Sequence, residues 1–182
     1  MRRSRFKALV AAGVVATGIA ASTSTVAASD IYLKVTNIRG ESTDEKHKGE
    51  IDVLSWSWGQ SSGSAVIKGG KIPATCIQDL VLVKNFDSSS ASFIMMGVTG
   101  GVAADAILSM TTSGGDKPLE FLTLHMTNVS VPSYQTGGSG GDSQLTETLV
   151  LHFDSIKGEY RTQKPDGTAG ESFPFDVAGT CK

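Results

Sequence analysis

The strongest constraint on this chain is the alternation of apolar and polar residues in two long runs, residues 119–131 and 146–160. Leu122, Leu124 and Met126 share one parity of the first run, and Leu149, Leu151 and Phe153 share one parity of the second. Successive side chains on a strand point to opposite faces, so each run reads as a strand with one buried face. A hairpin through the intervening PSYQTGGSGGDSQL would bury both rows together. The same period recurs in residues 30–38, where Ile31, Leu33 and Val35 alternate with Tyr32, Lys34 and Thr36. Further strands are predicted at 50–60, 64–67, 75–86, 104–112 and 171–177. One short helix is expected in DSSSASFIMMGV: Asp87 or a following serine can cap it, Phe93, Met96 and Val98 fall on helical spacing, and Gly100 and Gly101 end it. A sheet this extensive must close or be covered to bury its apolar face, so the expected class is mainly β, a sandwich or small barrel.

The segment EIDVLSWSWGQ carries both tryptophans. On an uninterrupted strand Leu54, Trp56 and Trp58 share one face and Val53, Ser55 and Ser57 the other. That arrangement reads as barrel core or subunit packing rather than as an aromatic platform for sugars or bases. Just before it, RGESTDEKHKGE breaks the strand pattern. Arg39, Glu41, Asp44, Glu45, Lys46, His47, Lys48 and Glu50 place charges of both signs in what is expected to be an exposed loop, long enough to suggest a task of its own.

The start of the chain has a different character. MRRSRFK is basic, ALVAAGVVATGIAA is apolar, and VAA ending at Ala28 fits a small-residue cleavage site, so residues 1–28 read as a secretory signal peptide of the Sec type. The apolar stretch of about 14 residues falls short of the roughly 20 that a spanning helix needs, so no permanent membrane span is expected. Cleavage near Ala28 leaves residues 29–182 as one domain, secreted or periplasmic, with 12 Lys and Arg against 18 Asp and Glu. That balance disfavours nucleic acid, because an acidic surface repels phosphate backbones. Cys76 and Cys181 are the only cysteines, and in an exported chain they are expected to form a disulfide.

The sequence carries no recognisable catalytic pattern. TGGSGGDS lacks the Gly-Lys-Ser/Thr of a phosphate-binding loop, and no Gly-x-Ser-x-Gly elbow is present. Glu50 with Asp52, or Glu120 with Glu147, could serve as an acid–base pair, but surface charges are the plainer reading. If the long hairpin is centred near Gly138 and Ser139, His125 and His152 lie opposite each other and form half a metal site with nothing to complete it. No catalytic residue, cofactor or metal is assigned.

YLKVTNIRGESTDEKHKGEIDVLSWSWGQSSGS, IQDLVLVKNFDSSS, TGGSGGDSQLTETLVLHF and YRTQKPDG together resemble the haemolysin-coregulated protein (Hcp) family, the tube proteins of type VI secretion. The resemblance is specific in order and spacing and covers residues 30–177. It implies a small β-barrel of two antiparallel sheets with one helix beside it. It also implies a homo-hexameric ring, rings stacked into a hollow tube, and a lumen that can carry small effector proteins among other secretion components. The loop from Arg39 to Glu50 then serves ring-to-ring contact. A cleavable leader departs from the family pattern, which leaves an exported ring acting as a protein-binding module without a sheath as the alternative. No enzymatic activity is implied.

Overall fold

The computed structural model describes residues 29–62, 75–112, 118–141 and 143–178. In chain order the elements are β1 (Ser29–Val35), β2 (Ile51–Asp52), β3 (Ser55–Ser57), β4 (Gln60–Ser62), β5 (Thr75–Ile77), β6 (Leu80–Asn85), α1 (Ser90–Thr99), β7 (Ala103–Thr112), β8 (Glu120–Gly137), β9 (Thr146–His152), β10 (Ser155–Gln163) and β11 (Ala169–Ala178). The predicted mainly-β class with one short helix is what the chain forms. The expected strand at 64–67 lies outside the described residues, as do the whole of residues 1–28 and Cys181.

All described pairings are antiparallel, and the main ladder runs β2-β1-β7-β8-β9-β6-β3. Two sheets arise because β8 belongs to both. Its first half pairs with β7 on one side and β10 on the other, and its second half pairs with β9. At the change-over Asn128 takes a left-handed φ of 53°, and the register shifts between Ser130 and Ser133, so Pro132 falls in a bulge where its missing N–H costs no ladder bond. The ladder does not close on itself. Its end strands β2 and β3 are nevertheless successive parts of one segment, in which the Val53 N–H donates to the Ile31 carbonyl and the Leu54 N–H to the Val83 carbonyl. That segment ties the second pair of sheet edges together.

Between the sheets lies one core that contains Leu33, Ile51, Leu80, Leu82, Leu108, Leu124, Met126, Leu149, Leu151 and Phe153. The two predicted apolar rows are both buried in it, but not as hairpin neighbours. The run 146–160 breaks at Phe153–Asp154 into β9 and β10. Tyr134 opposes Leu149, while Leu124 opposes Gly158. The rows therefore meet across the core rather than side by side. The helix packs on β8 where Gly97 approaches Val131, and Phe93 is fully buried. Gly100 ends it at φ 67°, with the Gly101 N–H returning to the Met96 carbonyl. Val98, one of the residues on helical spacing, is 79% exposed, and Ser90 and Phe93 are the residues that the helix buries.

Candidate assembly interface

Residues 39–50, expected as an exposed loop, form a loop whose backbone is internally bonded. They fold back on themselves through backbone bonds from Gly40 N–H to Gly49 O, Ser42 N–H to Glu50 O and Gly49 N–H to Ser42 O. Gly40 makes this possible, since a β-carbon there would run into the Glu50 backbone. The resulting strap is fastened along its length. The Ser88 N–H donates to Glu41 Oε1 at 3.0 Å, and Lys46 Nζ donates to the Pro118 carbonyl at 3.2 Å. His47 stacks on Tyr32 with ring centroids 4.2 Å apart and planes 7° from parallel. His47 is 6% exposed and Ser42 4%, so a charged segment contributes buried groups after all. Asp44 organises the turn by accepting from the backbone N–H of Lys46 at 2.8 Å and of His47 at 3.0 Å, and these bonds hold its carboxyl below the usual range. Burial, followed by the fields of Asp44, Asp30 and Asp52, pushes the Tyr32 phenol up to about 12. Arg39, Glu41, Glu45, Lys46 and Lys48 remain exposed on a fixed backbone.

A second surface is made by the hairpin of β10 and β11. Its inward row begins with Ile156, fully buried, and its partner Val177, then runs through Gly158 and Phe175 to Tyr160 and Phe173. Past Gly158 the row overhangs the core: Tyr160 is 45% and Phe173 48% exposed. Phe175 lies over Gly158, where any β-carbon would meet the ring, and stacks on Trp58 at 6.2 Å. The opposite row is charged, with Lys157 Nζ 3.2 Å from Asp176 and Arg161 Nε 2.9 Å from Glu159. A long edge strand offers a row of unpaired backbone groups as a template for another strand, and an uncovered aromatic row leaves apolar surface in water, so the two together suit association.

The tryptophan segment divides between core and surface. Trp56 and Trp58 are half-buried against the core, whereas Leu54 is 54% exposed. Ile51 and Val53 are buried, so Val53 and not Leu54 fills the core position. The inward parity is odd up to Val53 and even from Trp56 onward because the chain changes sheets at Leu54. The Trp58 indole N–H is buried without an acceptor among the described residues, which leaves a donor beside the aromatic row.

Sequence reasoning missed a buried charge cluster. Lys84, fully buried, lies 2.7 Å from Asp87 Oδ1 and donates to the Asn85 carbonyl and Ser90 Oγ. Glu147 Oε1 is 2.8 Å away, at charge-pairing distance but outside hydrogen-bond geometry. Tyr134 donates to Glu147 Oε2 at 2.6 Å, and burial together with this bond raises the phenol above its usual value. A readable signal existed: Lys84 shares parity with Leu80 and Leu82, and Glu147 with Leu149 and Leu151.

The possible histidine metal pair and the Glu120–Glu147 pair are not assembled. His152 opposes Ser130 and His125 opposes Lys157, so the two histidines are not facing partners. Each is bound instead to one carboxylate, His125 to Asp105 at 2.9 Å and His152 to Asp79 at 2.7 Å. Glu147 is committed to Lys84, and Glu120 stands apart at the strap, 3.8 Å from His47 Nε2. Among the described residues no group of three His, Cys, Asp or Glu is placed to hold a metal, and no helix is long and apolar enough to cross a membrane. The backbone of Cys76 lies in β5 opposite Ser61, and its expected partner Cys181 is outside the described residues.

Two half-barrel sheets, a fastened charged strap and an uncovered aromatic edge define a β-rich protein whose prominent surfaces suit self-association. A family profile described as "Type VI secretion system effector, Hcp" matches residues 32–160. The chain is 38% identical over 142 residues to protein hcp1 of Pseudomonas aeruginosa, covering 77% of this chain and 88% of that one. Among solved structures, one described as a type six secretion system protein superposes with a TM-score of 0.76 at 31% identity, covering 83% of this chain and 96% of the other. Hcp1 from Salmonella typhimurium gives a TM-score of 0.69 at 31% identity, covering 83% and 95%. The chain belongs to the Hcp family of type VI secretion proteins.

Proposed function

We propose that the chain is a structural subunit of a type VI secretion tube, closing into hexameric rings that stack and whose lumen carries small effector proteins, with no catalysis of its own. Family membership across residues 32–160 carries this reading. The surfaces support it. The aromatic row of β10 and β11 suits contact within a ring, and the strap, with Arg39, Glu41, Glu45 and Lys48 exposed, suits contact between rings. Light scattering of the mature protein should give about six subunits, and electron microscopy should show rings with a central channel. A monomer throughout the micromolar range would overturn the reading.

A second reading, an exported ring that works without a sheath, is favoured by the leader-like sequence of residues 1–28. In it the mature chain is periplasmic or secreted and Cys76 is bonded to Cys181. Intact mass of material from each compartment, with non-reducing peptide mapping, separates the readings. Full-length cytoplasmic protein with two free thiols supports the first, and a processed, disulfide-linked periplasmic chain supports the second.

A further inference from the structure

We infer that Lys84 is a positioning residue for ring stacking: from inside the core its ammonium fixes the turn before the helix, and that turn holds the strap. This rests on the reading of residues 39–50 as the stacking surface. A buried ion cluster adds little to stability over apolar side chains of the same volume, but its members must meet in one arrangement. Here the segment so arranged is residues 85–90. Lys84 Nζ donates to Asp87 Oδ1 at 2.7 Å, to the Asn85 carbonyl at 2.9 Å and to Ser90 Oγ at 3.2 Å. Asp87 Oδ1 also accepts from the Ser89 N–H and hydroxyl, and Ser90 Oγ accepts from the Asp87 N–H. The Ser89 hydroxyl, at the N-cap, is thereby committed to Asp87 and makes no capping bond to the helix. Ser89 and Ser90 are fully buried.

Ser88, in the same turn, is exposed and meets the strap at two points. Its N–H donates to Glu41 Oε1 at 3.0 Å and its hydroxyl to the Arg39 carbonyl at 3.4 Å. A groove of about 650 Å³ on the strap is lined by strap residues between Arg39 and Gly49 and, from outside the strap, by Ser88. Contacts therefore run without a gap from Glu147 and Lys84 through Asp87 and Ser88 to Glu41. Without the ammonium, Asp87, whose side chain is 13% exposed, exchanges a fixed partner for water, and the turn loses its register on the core. The link to stacking is preorganisation. Charges on a held strap are already placed, whereas on a loosened one each must be ordered when rings meet, which weakens the contact.

The test uses the mature protein with Lys84→Met and Glu147→Leu together, so that apolar packing replaces the ion pair. Light scattering should still give rings. Exchange protection of the Ser88 amide should nevertheless fall severalfold, and electron microscopy should show shorter tubes. Unchanged protection at Ser88, or full-length tubes once that amide has opened, overturns the inference. Loss of the ring itself would make the cluster a requirement of the fold and overturn its positioning role. A second pair of variants leaves the core untouched. Glu41→Ala removes the acceptor and should shorten tubes, whereas Glu41→Gln keeps an acceptor oxygen without the charge and should restore them. Equal loss in both would assign Glu41 to charge pairing between rings and overturn the holding role. Wild-type rings that never stack would overturn the stacking reading instead, while the Ser88 amide still reports whether Lys84 anchors the turn.

Discussion

The residue with most at stake is Lys84, because its ammonium has no access to water and depends wholly on Asp87, Glu147, Ser90 and the Asn85 carbonyl. Removing one member of a buried ion cluster leaves the others uncompensated. Lys84→Met should therefore cost about 3–5 kcal/mol in urea unfolding, while Lys84→Met combined with Glu147→Leu should recover much of it. A double variant no more stable than the single one would show that the cluster is not the cause. Asp87 gives the same cluster a pH signature. Burial pushes its carboxyl up, but the hydrogen bonds from Lys84 and Ser89 outweigh this and hold it below the ordinary carboxylate range. A group depressed in the folded state stabilises fully above its unfolded value, about pH 4, and that contribution is lost as pH falls through the folded value. Urea midpoints followed downward from about pH 5 should drop more steeply in the wild type than in Asp87→Asn.

At the scale of elements, the places where the chain changes sheets explain which features could be read from the sequence. The two apolar rows, the helix and its glycine stop were legible because each follows a local period or a local breaker. Leu54 was not. Alternation from Glu50 onward looks unbroken, and only the hydrogen bonds of Val53 and Leu54 to different sheets reveal that the inward parity flips there. The length of β8 was hidden for the opposite reason. Pro132 reads as a strand end, yet it sits in a bulge, and the strand continues to Gly137. In the strap Arg39, Glu41, Glu45, Lys46 and Lys48 are exposed, but nothing in its composition shows that Tyr32 would supply a platform that buries His47. The corner in β8 is testable through Asn128, whose left-handed backbone is unfavourable for a β-branched residue. Asn128→Val should be less stable than Asn128→Gly by about 1–2 kcal/mol. Equal stabilities would mean that the corner relaxes to ordinary strand geometry.

At the scale of the whole molecule, the two proposed association surfaces differ in chemistry, one apolar and one charged, and that difference gives them measurably different responses to salt. A ring needs a heterologous contact, in which the aromatic row of one protomer meets a different surface of the next, since a self-complementary contact would stop at a dimer. Phe173 is the cleanest probe of it, being 48% exposed and not the ring that covers Gly158. Phe173→Asp should release folded monomers with little change in unfolding midpoint; intact rings in that variant would place the contact elsewhere. The strap presents exposed charges of both signs, and such pairs are weak and sensitive to screening. Raising salt from about 0.1 M to about 1 M shortens the Debye length from about 10 Å to about 3 Å and leaves apolar burial in place. Sedimentation across that range should therefore show tubes dissolving into rings well before rings dissolve into monomers. The reverse order, rings falling apart while stacked material persists, would show that the charged surface closes the ring and the aromatic one stacks it.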